Sequence, residues 1–459
     1  MSSILLSFKK SISISRIFNW LIVLIIAFFV FKRKDWEDPG RIIRQDVNNY
    51  YLYLPAVFIY NDIYLDYADA APAEVKTKVW YKNAANGGRV GKMSAGMAMC
   101  YSPFFLAAHW YALTSIHDAN GYTLPYRFGM LMGTLFFLGI GLYYVRKILS
   151  LYFPSFITIL VCICLALGTN IYYYCVYEPC MTHILNFALI SGFVYYSILW
   201  NKSESVTLSI VLGILIGLIS LTRPSNIIIA LFLFFWDIKS FKDIQVKVKH
   251  WLGKFKFLFL IVVFAFLVWL PQILYWKAVT GSYFYYSYGD EGFFFDNPII
   301  FRGLFSYRSG WLLYTPIMAL ALIGISCLRK QLSAFFWPTL LFISLNIYII
   351  FSWWCWWYGG SFGARAFVDC YGLMAVPLAA LCSFLWTKNK IVFAGFLTIV
   401  IALIQLNMFQ SEQREIGSIH WDSQSKAVYW ANFGKITMVP NFQELIEPPN
   451  YEDAIKGIR

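Results

Sequence analysis

The sequence has few charged residues and none of the motifs that mark nucleotide-binding enzymes. Of its 459 residues, 13% are charged and 59% are hydrophobic, whereas a soluble globular protein carries about 25% charged residues. The chain has no G-x-x-x-x-G-K-[ST] loop and no G-x-G-x-x-G turn of the kind that cradles phosphates. It also has no internal repeat and no linker rich in Pro, Gly and Ser. This composition excludes a soluble globular class and argues against a nucleotide cofactor.

Ionisable side chains are almost missing from the interiors of the hydrophobic segments. Only His183 comes close, near the outer end of one segment. Ion-coupled transporters usually keep such residues near the membrane midplane, and the chain also lacks two halves of matching hydropathy. Both observations argue against a transporter. A flippase would need a continuous polar path, which the same observation argues against. A flippase and a non-catalytic membrane scaffold remain as alternatives to an enzyme.

Cysteine is present, but in no C-x-x-C pair, and its number, nine, is odd. Four cysteines fall inside predicted spans and are expected to be small core residues: Cys162, Cys164, Cys327 and Cys382. Two pairs fall on the predicted outer side, where an oxidising compartment could join them: Cys175 with Cys180, and Cys355 with Cys370.

What the sequence has in abundance is long hydrophobic runs. Because about 20 apolar residues are needed to cross a hydrocarbon core, we predict an all-α, polytopic transmembrane bundle. It has about eleven spans, with ten to thirteen as the range, near residues 13–31, 127–145, 154–171, 183–200, 206–222, 225–236, 257–276, 311–328, 335–352, 371–386 and 391–408. The apolar stretch 97–115 could span, re-enter or lie in the interface.

The distribution of basic residues predicts the orientation of this bundle. With a cytosolic N-terminus, the inside loops hold sixteen of the 37 Lys and Arg residues and only three of the 24 acids. The outside then holds 21 of each, as the positive-inside rule requires. The positive net charge therefore indicates topology, not nucleic-acid binding. The first segment is predicted to be a retained anchor, because no small-residue cleavage site follows it.

Most of the polar chain falls on the predicted outer side. We predict a transmembrane domain over residues 1–409, with a long outer loop at 32–97, and a short outer tail over 410–459. Two pieces of that loop, "NNYYLYLPAVFIYNDIY" and "VKTKVWYKNAANG", are predicted to be helices along the interface. An enzyme working there without nucleotides needs an activated substrate that has already crossed the membrane, and a lipid-linked one is the natural candidate.

A lone carboxylate opens the outer loop in "RQDVNNYYLYLP". Asp46 could be a general base at the mouth of a membrane cavity, where partial burial can raise a carboxyl pKa. The alternative is a helix N-cap, because two asparagines and an aromatic helical stretch follow it. The neighbouring Tyr50, Tyr51 and Tyr53 could line a substrate pocket or pack the interfacial helix.

The run "SWWCWWYGGSFGARAFVD" combines aromatic residues, glycines and one arginine. Arg365 can hold a phosphate bidentately, and backbone at Gly360 permits close approach of a ligand. Trp357 and Tyr358 could carry a sugar or an isoprenoid, or belong to an interfacial aromatic belt. Asp369 could simply pair with Arg365.

Two further basic residues could hold a phosphate. Arg223 in "SLTRPSNII" lies where two spans meet, and it could bind a lipid phosphate or snorkel to headgroups. Lys92 in "RVGKMSAGM" precedes a broken apolar helix and is either a phosphate ligand or a solvated surface residue.

"YCVYEPCMTHILNF" places Glu178 and His183 at a helix entry on the outer side. Both could contact substrate or a metal, and Glu178 could instead cap the helix. The segment "YSYGDEGFFFDNP" could form a lid over a cleft, with Asp290 and Glu291 as acids without an evident partner. A divalent metal is possible, but no ligand is assigned to it.

With these residues in view, the chain resembles the GT-C glycosyltransferases, in particular the branch of protein O-mannosyltransferases and lipid A aminoarabinose transferases. The resemblance covers residues 9–408: one span, a long outer loop opening with an acid, the Pro-bearing helix "YSPFFLAAH" and about ten further spans. It implies that Asp46 is the catalytic acid of the first loop and that the donor is a polyprenyl-phosphate sugar. Some members have a paired acid where this chain has Val47. The second acid could instead be one of four others: Asp62, Asp66, Asp69 or Glu178.

The resemblance implies an inverting glycosyl transfer on the outer face of a bacterial plasma membrane. Asp46 would activate a hydroxyl of a protein, lipid or glycan acceptor, while Arg365, Arg223 and Lys92 would stabilise the departing lipid phosphate. An enzyme of this kind requires Asp46, Arg223 and Arg365 to converge on one cavity, whereas a scaffold would leave them apart.

Overall fold

The chain folds into a helical bundle with almost no β-structure. The computed structural model describes residues 2–458, with side chains from residue 14 onward. Within that part, the strands are Lys82–Asn83 and Arg89–Val90, which pair antiparallel with Lys82 opposite Val90. The predicted all-α class is confirmed.

Within the described residues, seven helices are long and apolar enough to cross a membrane. They are Ile14–Arg33 (the end of helix Ser2–Arg33), Leu124–Leu149, Thr182–Lys202, Phe255–Thr280, Ser333–Ser352, Arg365–Lys388 and Lys390–Glu415. Each coincides with a predicted span. The other four predicted spans are shorter helices: Ser155–Gly168, Val206–Thr222, Pro224–Phe235 and Ile317–Gln331. The total of about eleven spans therefore stays a prediction.

The remaining helices lie in the connections. The longest are Gly96–Leu113, which continues through Pro103, and Phe241–Gly253. The short ones are Asp46–Tyr51, Tyr53–Phe58, Tyr67–Ala70, Ala73–Lys76, Ile171–Val176, Ile300–Phe305, Trp311–Tyr314, Lys426–Asn432, Phe442–Leu445 and Tyr451–Ile455. Two 3₁₀ turns, Pro224–Ile229 and Arg365–Cys370, each lead into a helix.

One predicted interfacial helix is wrong. The piece "VKTKVWYKNAANG" is helical only at Ala73–Lys76 and then becomes the two-stranded hairpin. The cause is the turn, where the Asn86 side chain accepts a hydrogen bond from the Gly88 amide at 3.1 Å and Gly87 takes a positive φ of 84°. Left-handed backbone of this kind favours glycine and reverses the chain.

Two helices form the centre of the bundle. Thr182–Lys202 and Arg365–Lys388 each have 83% of their apolar window buried, whereas Phe255–Thr280 has 11%. The central pair packs closely because Gly372 faces Ser191: an added Cβ would lie 1.9 Å from the serine Oγ. Small residues permit such close helix contacts. The beginnings of the two helices also meet, where His183 contacts Asp369, and the candidate site lies there.

The C-terminal tail packs back onto the aromatic run. Trp357 Nε1 and the Tyr451 hydroxyl donate to the same oxygen of Asp422, at 2.9 and 2.8 Å. The last long helix extends to Glu415, past the predicted domain end at residue 409. The tail is thus tied to the bundle through its own hydrogen bonds.

Neither of the possible disulfides is present. All nine cysteines are free, and the four that were predicted to lie on the outer side, Cys175, Cys180, Cys355 and Cys370, are buried. Burial raises the pKa of Cys180 and of Cys355 to about 12. Thiols in such surroundings are unreactive at neutral pH.

Candidate functional site

The candidate site is centred on an ion pair between Asp46 and Arg365. Arg365 Nη2 lies 2.9 Å from Asp46 Oδ2, although 319 positions separate the two residues. Asp46 is the first residue of its helix, Gln45 is the N-cap, and no side-chain cap is formed. The N-cap interpretation of Asp46 is therefore wrong, because its carboxylate is turned toward a guanidinium instead.

On one side of the ion pair lies a cavity of about 370 Å³, here called the aromatic cavity. Asp46, Arg365 and Arg223 all line it, together with Tyr50 and Lys92. Its walls carry aromatic rings: Tyr286, Tyr288, Phe293, Trp353, Trp354, Tyr358 and Tyr451. The three residues that an enzyme requires to converge thus do so.

Arg223 is held at this cavity by a buried carboxylate. Asp369, with 1% of its side chain exposed, lies 3.5 Å from Arg223 Nη1. The same carboxylate accepts hydrogen bonds from Asn226 at 2.7 Å and Asn186 at 3.2 Å, and lies 2.9 Å from His183 Nδ1. Such a set of donors offsets the cost of burying a charge. Asp369 therefore fixes both Arg223 and His183.

Asp369 does not form the possible ion pair with Arg365. These residues are four positions apart in the 3₁₀ turn Arg365–Cys370. A 3₁₀ helix has about three residues per turn, so side chains that are four positions apart in it point in directions about 120° apart. They would share a face only in an α-helix. Arg365 therefore pairs with Asp46, and Asp369 pairs with Arg223.

His183 also lines the aromatic cavity. Nδ1 is taken by Asp369, while Nε2 has no hydrogen-bond partner among the described residues. A carboxylate on Nδ1 favours the tautomer that carries its proton there. Nε2 can then accept a hydrogen bond, or donate one when the ring is protonated.

A second cavity, of about 630 Å³ and here called the polar cavity, lies on the other side of the ion pair. Asp46, Gly359 and Arg365 line both cavities. The polar cavity is otherwise lined by charged and polar groups, Gly360 and three aromatic rings: Arg41, Arg44, Gln45, Glu178, Arg414, Glu415, Trp80, Tyr173 and Trp421. The Asp46 carboxylate thus lies between two spaces of different character.

Glu178 lines the polar cavity and has a buried oxygen without a partner. Its Oε2 accepts no hydrogen bond within the described part of the chain. Burial raises the pKa of Glu178, and nearby Arg414 and Arg365 only partly oppose that rise. It does not cap the following helix, whose N-cap is Met181. Glu178, one of the candidates for a second acid, thus lines a cavity together with Asp46 and Arg365.

Lys92 enters the aromatic cavity already paired. Its Nζ lies 2.5 Å from Glu291 Oε1, and Trp354 Nε1 donates to the other Glu291 oxygen at 3.2 Å. The expectation that Glu291 lacks a partner is therefore wrong. The Glu291 carboxylate offsets the charge of Lys92, which makes this lysine a weaker phosphate ligand than an unpaired one.

Three predicted pocket residues lie outside both cavities. Tyr51 is fully buried against Phe105 and donates to the Gly121 carbonyl. The Tyr53 hydroxyl donates to the Met93 carbonyl at 2.6 Å. Trp357 is buried under the C-terminal tail. Tyr50 and Tyr358 do line the aromatic cavity, where the Arg223 guanidinium lies 5.4 Å from the Tyr358 ring centre.

Sequence reasoning missed Asn186 and Asn226 as site residues. Asn186 follows His183 by three positions on one helix, a spacing that places both on one face. Asn226 likewise follows Arg223 by three positions. The sequence did contain a signal for these residues, namely a polar residue three positions after a candidate site residue within an apolar segment.

Among the described residues, no group of three or more His, Cys, Asp or Glu side chains could hold a metal ion. Comparison of the chain with models of protein families and with curated proteins gives no match. What the site can do must therefore follow from its geometry.

Proposed function

We propose that this chain is a membrane glycosyltransferase of GT-C type. It moves a sugar from a polyprenyl-phosphate donor to a hydroxyl of a protein, lipid or glycan acceptor. The observation that carries the proposal is the position of Asp46, which lines both an aromatic cavity and a polar cavity next to Arg365. A base that joins two cavities is what a reaction between an apolar donor and a polar acceptor requires.

The aromatic cavity suits the donor. Its rings can pack against an isoprenoid chain or a sugar face, and Arg223 and Arg365 supply positive charge for a phosphate. Asp369 holds Arg223 in place from behind. In this mechanism both arginines stabilise the charge that develops on the leaving phosphate.

The polar cavity suits the acceptor. An acceptor hydroxyl approaching from that side attacks the anomeric carbon, and Asp46 takes its proton. The new C–O bond forms as the bond from the anomeric carbon to the phosphate oxygen breaks, and the electron pair leaves on the lipid phosphate. Asp46 Oδ1 is available for this proton, since only Oδ2 is bonded among the described contacts. One displacement inverts the anomeric centre, in contrast to retaining enzymes with two close carboxylates.

His183 has a supporting place in this scheme. Asp369 holds the proton of the neutral ring on Nδ1, much as a carboxylate orients a histidine in other enzymes. His183 lines the aromatic cavity, so its Nε2 can accept a hydrogen bond from a hydroxyl of the donor sugar. No metal is needed for this scheme.

We place the reaction on the outer face of a bacterial plasma membrane, with the N-terminus in the cytosol. The support is the segregation of basic residues described above. Single cysteines at Lys82, Lys249 and Lys435 test it: a membrane-impermeant thiol reagent should label positions 82 and 435 in intact cells and leave 249 unlabelled. The reverse pattern would place the site in the cytosol.

A transfer assay tests the activity itself. Purified protein in nanodiscs is given polyprenyl-phosphate sugars, and the products are separated and identified by mass spectrometry, beside envelope glycans from cells with and without the gene. Wild type should consume donor and release polyprenyl phosphate, and Asp46→Asn should not. Donor that crosses the bilayer intact, with no sugar transferred, would support a flippase in place of this proposal.

A further inference from the structure

Helix Phe241–Gly253 differs from every other long helix described: none of its residues is buried. It begins with a capping box, in which Ser240 and Asp243 exchange hydrogen bonds with each other's backbone amides. That arrangement stabilises a helix start locally. The helix is thus well formed, yet its apolar face has no protein partner among the described residues.

The apolar residues of this helix form one stripe. At about 100° per residue, Phe241, Ile244, Val248 and Leu252 fall within about 80° of each other. Phe241 and Leu252 are 73% and 72% exposed. Lys242 and Lys249 each follow a stripe residue and lie seven positions apart, so both project from the same edge of the stripe. This is the pattern of a helix that lies in a membrane interface.

Contacts with the bundle fix how the helix is rolled. Trp251 packs on Phe234 with ring centres 5.0 Å apart, and His250 Nε2 lies 2.5 Å from Glu204. Lys247 donates to the Trp236 carbonyl. These three residues face the protein, whereas Phe241, Val248 and Leu252 face away from it. The stripe is therefore held at the side of the bundle.

The chain on both sides indicates what covers the stripe. The apolar helix Pro224–Phe235 precedes it, and the long apolar helix Phe255–Thr280 follows it after a single residue. That following helix has only 11% of its apolar window buried, so most of its side chains require lipid. A helix tethered this closely at both ends lies at the level of the bilayer surface, and its stripe continues the lipid-facing surface of its neighbour.

We propose that Phe241–Gly253 lies in the plane of the membrane surface, with its stripe among the acyl chains and Lys242 and Lys249 bound to anionic lipid headgroups. Both lysines are exposed, and no ion pair with a described acid is recorded for either. A lysine near an anionic surface strengthens binding by about fivefold. The helix would thus couple the bundle to the anionic lipid content of its membrane, independently of the proposed transferase activity.

Site-directed spin labelling of the full chain in liposomes tests this. Seven of the nine native cysteines are buried, so an introduced cysteine is labelled preferentially, and unmutated protein treated alike gives the background. The Leu252→Cys label should be accessible to oxygen and shielded from a water-soluble nickel chelate. The matched control is Val246→Cys, which is 69% exposed but about 150° from the stripe; its label should be open to nickel.

A second experiment compares the depth of the label in phosphatidylcholine liposomes with and without phosphatidylglycerol. The label at 252 should move deeper when phosphatidylglycerol is present, and Lys242→Gln with Lys249→Gln should abolish that shift. Lys426→Gln with Lys435→Gln removes the same charge from exposed positions of the tail and should leave the shift unchanged. Equal nickel access at 246 and 252, or a label at 252 shielded from both oxygen and nickel, overturns lipid docking. Equal depth in both lipids overturns the headgroup assignment.

Discussion

Asp46 and Asp369 both lie beside an arginine near the aromatic cavity, yet their surroundings are opposite. Asp369 has 1% of its side chain exposed and contacts Arg223, His183, Asn186 and Asn226. Asp46 has 35% exposed and one partner. A carboxylate whose hydrogen-bonding capacity is used up can hold other groups in place, whereas one with a free oxygen at a cavity can take up a proton. The comparison separates the positioning carboxylate from the candidate base.

The sharpest test of this difference is Asp46→Asn. The amide keeps the shape of the side chain but cannot accept the acceptor's proton, so transfer should fall by about 10²–10⁴-fold. The unfolding free energy should change by less than about 1 kcal/mol, because the lost ion pair is partly exposed. The measurements are donor turnover in nanodiscs and thermal unfolding of the same sample.

Asp66→Asn is the matched control, since Asp66 is a more exposed acid of the same loop, with 76% of its side chain accessible. It should leave turnover at the wild-type level. A folded Asp46→Asn protein that retains more than about a third of the wild-type rate would remove Asp46 as the base.

Asp369→Ala should show the opposite profile. Removing a buried carboxylate leaves Arg223 and the asparagines without their acceptor, and breaking a buried pair costs about 3–5 kcal/mol. We therefore expect a large loss of stability, followed in denaturant titrations or by thermal unfolding. Asp369→Asn, which keeps an acceptor oxygen, should recover part of it. Wild-type stability in both variants would contradict the positioning role.

Arg365→Lys addresses the guanidinium that the two cavities share. A lysine can keep the charge next to Asp46 but cannot make a bidentate contact with a phosphate. We expect KM for the donor to rise by about tenfold, equivalent to roughly 1.4 kcal/mol, with folding retained. Arg302→Lys, on an arginine that does not line either cavity, is the control. An unchanged KM would place Arg365 outside the donor site.

The sequence predicted the bundle better than it predicted the contacts within it. The lengths of the hydrophobic runs located seven long helices, because a helix must reach a minimum length to cross a bilayer. Asp46, Arg223 and Arg365 were identified because charged residues are rare near the apolar segments. The pairing of Asp369 was missed because the 3₁₀ geometry of its turn leaves no trace in the sequence.

The three tyrosines near Asp46 illustrate a second limit. Composition made Tyr50, Tyr51 and Tyr53 equal candidates for the pocket. Neighbouring residues on a helix point about 100° apart, so Tyr50 and Tyr51 cannot face the same cavity, and a new helix begins at Tyr53. Which tyrosine lines the cavity is decided by how the helix is rolled against Gly96–Leu113, a tertiary contact.

Glu178 combines features of the two carboxylates compared above: it is partly exposed like Asp46, but its Oε2 is buried and has no hydrogen-bond partner among the described residues. Its pKa is raised by burial, so the folded state binds its proton more tightly than the unfolded state, for which the ordinary value is 4.5. Such a group makes stability fall as pH rises from about 4.5 through the folded pKa. Glu178→Gln removes this dependence. The variant should therefore match wild type at acidic pH and be the more stable of the two near neutral pH.

This change in stability is the smallest effect that we predict, because the surrounding arginines partly stabilise the ionised carboxylate. Thermal unfolding of both proteins across the acidic to neutral range measures it, and Glu452→Gln, at an exposed glutamate of the tail, controls for the loss of one negative charge. If Glu178→Gln is the less stable protein at neutral pH, the carboxylate is ionised and held by the arginines of the polar cavity, and Glu178 resembles Asp369. If the variant is more stable but transfers sugar more slowly, Glu178 contributes to the reaction although it lowers stability. Its role is then closer to that of Asp46.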